Sequence, residues 1–160
     1  KSEYLSASGR ARNGLEVANA GLVISPNDAH LLAARGFAEI ALGQFEQAKK
    51  DFEPALLLSP RDLAVAQWRL SLGLAEIGIG QFAPAADEFQ ASINFGNQTF
   101  VPYGYLAAAR ALDNKMDQAA AAVAVARRLN PGLSIKQMLS IAPPVRNLRE
   151  GLQKAGFNDE

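Results

Sequence analysis

Between Ala29 and Asp62 apolar residues recur every three or four positions in two runs, 29–42 and 45–58. Gly43-Gln44 separates the runs and Ser59-Pro60-Arg61-Asp62 closes the second. That period lays apolar side chains along one stripe of an α-helix, so the stretch predicts two short amphipathic helices joined by a tight turn. The pattern then returns. Gly36, Gly43, Ala48, Phe52, Ala55 and Pro60 are followed 37 residues on by Gly73, Gly80, Ala85, Phe89, Ser92 and Asn97. They are followed 71 residues on by Ala107, Asn114, Ala119, Val123, Ala126 and Pro131. A cut-short copy stands 34 residues upstream, as Gly9, Gly14, Ala18, Gly21 and Pro26. A fixed period of this size marks a solenoid, in which each unit buries its apolar face against its neighbours.

Turn chemistry gives the same division. A helix commonly stops at a left-handed residue, a conformation Gly reaches freely and Asn tolerates. Gly9, Gly43, Gly80 and Asn114 occupy the predicted intra-repeat turns. Ahead of them, 1–9 predicts the tail of a first helix with Tyr4 and Leu5 facing inward. Residues 10–24 predict its partner, with apolar surface from Leu15, Val17, Ala18, Leu22 and Val23. Ser25-Pro26-Asn27-Asp28 should end that helix and cap the next, because Pro disfavours helix in the residue before it and Asn or Asp accepts from free amides. The helix over 63–79 carries Trp68 and three extra residues, expected to lengthen its start. Past Pro131 the repeat ends. Ser134 with Gln137 predicts a capping box for a short helix through Ile141, and Pro143-Pro144 breaks it. Val145, Leu148, Leu152 and Ala155 then line one side of a last helix, which Gly156-Phe157 should stop. A solenoid needs a terminal element over its last apolar face, and this segment is read as that cap.

The repeated set resembles the tetratricopeptide repeat (TPR), with a small residue at position 8, Ala at 20, a large apolar residue at 24, Ala at 27 and Pro at 32. The resemblance covers about 1–133, as a partial unit 1–28 and units 29–62, 63–99 and 100–133, with 134–160 as capping helices. It implies an all-α, right-handed superhelix of antiparallel helix pairs. The chain departs from the pattern at position 11, where Glu39, Glu76 and Arg110 stand, and at position 4, where Leu32, Arg69 and Tyr103 replace Trp. Such folds line their concave face mainly with positions 2, 5, 9, 12 and 13 of each first helix. Carried over, these give His30, Ala33, Phe37, Ile40 and Ala41, then Gln67, Leu70, Leu74, Ile77 and Gly78, then Val101, Gly104, Ala108, Ala111 and Leu112. The candidate partner-binding groove is therefore His30, Phe37, Ile40, Gln67, Leu70, Leu74, Ile77 and Val101. It lacks the Lys/Asn/Arg set with which some members of the family clamp chaperone carboxylates. An apolar trough of this length calls for an occupant: an amphipathic helix, an extended peptide, a second copy or the chain's own tail.

Composition narrows the chemistry. Sixteen Lys and Arg balance sixteen Asp and Glu, which argues against a nucleic-acid surface. With no Cys and one His, thiolate chemistry and His-cluster metal sites are excluded, and no cofactor is expected. The uncharged run 89–109 is interrupted by Asn, Gly, Thr and Pro and does not read as a membrane span. Catalytic readings of His30, or of Glu39 with Glu76, are weaker than structural ones. His30 is an isolated residue at a helix start. The two Glu share one repeat slot, with Glu76 expected to pair with Arg110. Lys49-Lys50 beside Asp51 and Glu53 reads as a solvated face.

The tail, LNPGLSIKQMLSIAPP with LREGLQKAGF, also resembles the carboxy-terminal ending of large bacterial signalling proteins. These carry TPR arrays behind a cyclase or a winged-helix domain. The chain begins at Lys1 inside a predicted helix and reads as a piece of a longer polypeptide. The expected function is that of a non-catalytic, cytoplasmic protein–protein interaction scaffold, the alternatives being a dimerisation or spacer arm, or a small-ligand sensory module coupled to an upstream domain. Its partner would be a protein or peptide, self included, with neither nucleic acid nor membrane.

Overall fold

A computed structural model describes residues 2–160, with side chains from Ala7 onward. Tyr4 and Leu5 lie outside the described side chains. Among the described residues the chain forms nine helices and no strand: α1 (Ser2–Ile24), α2 (Ala29–Ala41), α3 (Phe45–Leu58), α4 (Val65–Ile79), α5 (Phe82–Asn94), α6 (Phe100–Leu112), α7 (Met116–Leu129), α8 (Ile135–Ile141) and α9 (Leu148–Ala155). From α1 to α7 each helix packs chiefly on its neighbours in the chain.

The turns follow from backbone geometry. Gly43, Gly80 and Asn114 adopt φ of 76°, 91° and 60°. The next amide in each case reaches five residues back: Gln44 N–H donates to the Glu39 carbonyl at 2.8 Å, Gln81 to Glu76 at 2.9 Å and Lys115 to Arg110 at 2.9 Å. This double-bonded stop satisfies carbonyls that the helix end leaves free. Gly156 and Phe157 close α9 the same way, with Phe157 N–H donating to the Leu152 carbonyl at 3.1 Å.

Helix crossing depends on absent side chains. A Cβ added to Gly36 would lie 2.8 Å from the Phe52 ring, and one added to Gly73 would lie 2.6 Å from the Phe89 ring. Both rings are wholly buried, so each hairpin closes by seating an aromatic ring on a bare glycine. Gly104 differs, since its added Cβ would meet the flexible end of Met138, the methyl at 2.5 Å and the sulfur at 3.1 Å. That flexible end can swing aside. Gly104→Ala should therefore stay within about 1 kcal/mol of the parent in chemical denaturation, helped by the better helix propensity of Ala.

Three expectations are corrected. Gly9 makes no turn, because α1 is continuous through it. Nothing lies within 4 Å of a Cβ built there, so no returning helix presses on that point, and the helix simply continues. The apolar surface expected on this helix is only partly used: Ala18 and Leu22 are buried, whereas Val17 and Val23 are exposed. The three extra residues of the second full unit do not lengthen α4. Asp62 accepts the Ala64 amide at 2.8 Å and its own carbonyl accepts Val65 N–H at 3.1 Å, which folds them into a turn and leaves Leu63 in solvent.

The tail forms as its residues predict. Ser134 Oγ accepts Gln137 N–H at 3.3 Å and Gln137 Oε1 accepts Ser134 N–H at 3.4 Å. Val145 falls before α9 rather than inside it. It is half-buried and bridges the two apolar clusters of the fold.

Candidate functional site

The tail does not extend the stack. α9 packs mainly on α6 and only marginally on α7 and α4. A Cβ on Gly151 would come within 3.0 Å of the Ala108 side chain and carbonyl, and within 2.8 Å of Leu112. On the other half of α6, Met138 lies over Gly104, and the Tyr105 hydroxyl donates to the Met138 carbonyl at 3.4 Å. The tail thus covers α6 from Gly104 to Leu112. Asn147, left-handed at φ 69°, donates to the Ile77 carbonyl at 3.1 Å and pins the crossing to the end of α4. Lys154 Nζ donates to Asn114 Oδ1 at 2.7 Å, and Arg127 to the Gly156 carbonyl at 2.8 Å.

What remains of the trough is a cavity of about 430 Å³ beside the tail. Phe37 and Ile40 of α2 form one wall and Gln67, Leu70, Ser71 and Leu74 of α4 the floor. Phe100, Val101 and Tyr105 of α6 form the far wall, and Ile141 and Pro143 of the tail close one side. No charged side chain lines it. Its polar side chains are Gln67 and Ser71, the Gln67 amide 3.4 Å from Ser71 Oγ, and Tyr105, whose hydroxyl is buried against the Met138 carbonyl. Burial pushes the Tyr105 phenol up, so it stays neutral and acts as a donor.

Six of the eight groove candidates meet in this cavity: Phe37, Ile40, Gln67, Leu70, Leu74 and Val101. His30 and Ile77 do not. His30, at the start of α2, faces solvent, sits 2.8 Å from Asp62 and presents its edge to Trp68. The Ala64 amide and then His30 hold the Asp62 carboxyl below its usual range. Ile77 is wholly buried. Position numbering alone missed Ser71, Phe100, Tyr105, Ile141 and Pro143. Phe100 and Tyr105 flank Val101 within one helical turn and could have been found that way, but the tail residues carry no such signal.

Charge lies in the seams between helices instead. Arg35 pairs with Asp51, Lys49 with Glu76 at 2.9 Å and Arg69 with Glu88 at 2.8 Å. Glu76 does not pair with Arg110, whose nearest carboxylate is Asp87 at 3.8 Å. Lys49 is not part of a solvated face either. It turns inward to Glu76 and Gln81, because buried Glu76 lies within its reach from the next unit.

The fold has solved counterparts. The crystal structure of MamA superposes with a TM-score of 0.72 at 19% identity, over 92% of this chain and 87% of that one. MamA 41-end from Desulfovibrio magneticus RS-1 gives 0.71 at 20% identity, over 96% and 92%. YrrB, described as a TPR protein with an unusual peptide-binding site, gives 0.70 at 17% identity, over 94% and 79%. The chain has a TPR-type helical-repeat fold. At these identities the likeness establishes the fold alone. No protein-family model matches the chain, and no curated protein matches its sequence.

Proposed function

We propose that this chain is a protein-interaction scaffold that holds an apolar side chain of a partner peptide in the cavity between α2, α4 and α6. The observation that carries the reading is the uncharged, largely apolar lining left open where the rest of the trough is filled by the tail. Phe37, 38% exposed, stands at its rim, edge-on to Phe52 with ring centroids 5.1 Å apart. Burial of apolar area with a few fixed polar groups is the usual design of such a pocket. A helix about 10 Å wide needs a longer trough, so an extended segment is the better fit. The peptide-binding site described for the similarly folded YrrB supports this class of partner.

The context we propose is the cytoplasmic regulatory end of a larger bacterial signalling protein, of cyclase or transcription-regulator type. That part rests on the resemblance of residues 129–157. The reading frame upstream of Lys1 tests it, and an upstream region with neither domain type would remove it.

The cavity is tested with peptides selected from a random display library on the parent protein. Leu74 is a poor probe, because at 4% exposure it belongs to the core and its replacement by Glu would unfold the site. Val101 is half-buried at the wall. Val101→Glu should weaken the selected peptides by about tenfold or more through a desolvated charge, with the melting temperature nearly kept. Equal affinities in a fluorescence-anisotropy titration would eliminate the cavity as the binding site. Concentration-dependent light scattering without peptide would instead assign it to a second copy.

A further inference from the structure

Glu39 and Asp51 are both buried in the seam between α2 and α3, at 6% and 5% exposure, and only Asp51 is bound by the Arg35 guanidinium. Arg35 donates through Nε and Nη2 to the two oxygens of Asp51, at 2.5 and 2.7 Å, and through Nη1 to Asn19 of α1 at 3.1 Å. That commits the fork. Among the described residues Glu39 Oε2 is left buried with no hydrogen-bond partner.

Among the described residues the surrounding elements offer Glu39 no further ion pair. On α3, Lys49 is bound to Glu76 and Gln81, Glu53 lies 3.7 Å from Lys49, and Glu46 and Lys50 face solvent. On α1, Arg10, Arg12 and Glu16 are exposed. On α4, Arg69 pairs with Glu88 and Glu76 with Lys49. The contrast with the next unit is written in the sequence. Glu76 occupies the same slot as Glu39 and receives Lys49, whereas the residue 34 positions before Lys49 is Leu15. The Glu39 copy of the slot therefore lacks the lysine that Glu76 has.

We propose that Glu39 is a proton switch in the α2–α3 seam. It seats as the neutral acid, and its ionisation loosens the helix that carries Phe37 and Ile40. A buried carboxyl with no partner ionises only at a cost, and a neighbouring negative charge raises that cost. Burial first, and Asp51 next, push the Glu39 carboxyl up to about 7, against the opposing pull of Arg35. The direction of the pH effect follows. The unfolded chain releases this proton near 4.5, while the folded chain keeps it to about 7. The folded state binds the extra proton in between, so stability falls as pH rises through that window and levels off above it. The switch belongs to the packing of α2 on α3 and stands whether or not the cavity binds a peptide.

The test follows thermal and denaturant unfolding of the whole chain between about pH 5 and pH 8.5, which takes in most of the window and the plateau above it. Relative to Glu39→Gln, the parent should lose about tenfold to a hundredfold in its folding equilibrium constant across that span. Glu39→Gln should remove most of the slope and be the more stable protein at the alkaline end. Parallel profiles would overturn the proposal. Carbon-13 NMR of the Glu39 side-chain carboxyl in the parent reads the midpoint directly and does not require the variant to fold. A midpoint near 7 supports the switch, and one near the ordinary 4.5 overturns it.

Discussion

Phe89→Ala should lower the unfolding free energy by about 3–5 kcal/mol, the range for deleting a fully buried aromatic ring. Phe89 has no exposed surface. Its ring fills the space that Gly73 leaves bare on α4 and lies 5.7 Å from the Tyr105 ring of α6. One side chain therefore joins three consecutive helices at the middle of the array, and its removal leaves a void that the backbones cannot close without re-crossing. Gly73→Ala should destabilise from the other direction, by roughly 1–3 kcal/mol, because the added methyl would meet a ring with no room to retreat. The two effects share one contact. Phe89→Leu with Gly73→Ala should cost less than the sum of the separate changes, and a double-mutant cycle by urea denaturation measures the coupling. Strict additivity would show that the ring and the glycine are not a fitted pair.

This pairing also explains why so much of the fold could be read from the chain. Gly36, Gly73, Phe52 and Phe89 recur because each hairpin meets one steric demand, and Gly43, Gly80 and Asn114 recur because each turn meets one torsional demand. Local demands leave local marks. Gly9 shows the limit. It sits at the right interval, but a glycine only permits a turn, and nothing packs within 4 Å of a Cβ built there to require one. Leu63 shows another limit, since whether inserted residues join a helix or a turn was decided by the Asp62 carboxylate. The groove was legible as far as the repeat governs it, which brings Phe37, Ile40, Leu70, Leu74 and Val101 together. Ile141 and Pro143 were beyond reach because the tail contacts α6 from outside the repeat. Its only marks are the glycines Gly104 and Gly151, at which Met138 and the Ala108 backbone make their close approaches.

The tail's importance gives the second large effect. Leu152→Ala should cost about 2–5 kcal/mol, as expected for a leucine in a core that cannot collapse around the loss. Leu148 and Leu152 have no exposed surface, and both lie in the cluster that includes Ala108, Met138 and Phe157. A peripheral appendage would not show this. Its apolar residues would keep partial exposure, and truncating one would cost little beyond transfer. The C-terminal stop adds to the coupling, because the Leu152 carbonyl accepts the Phe157 amide and Phe157 in turn lies under the Arg127 guanidinium at 5.6 Å. Loosening Leu152 should therefore loosen the whole cover of α6, together with the cavity wall at Ile141 and Pro143. The equilibrium cost is read by guanidinium denaturation. The exposed trough is read by binding of a hydrophobic dye, which should rise before global unfolding in Leu152→Ala and not in the parent. A variant within about 0.5 kcal/mol of the parent, the usual spread for surface substitutions, would place the tail outside the core.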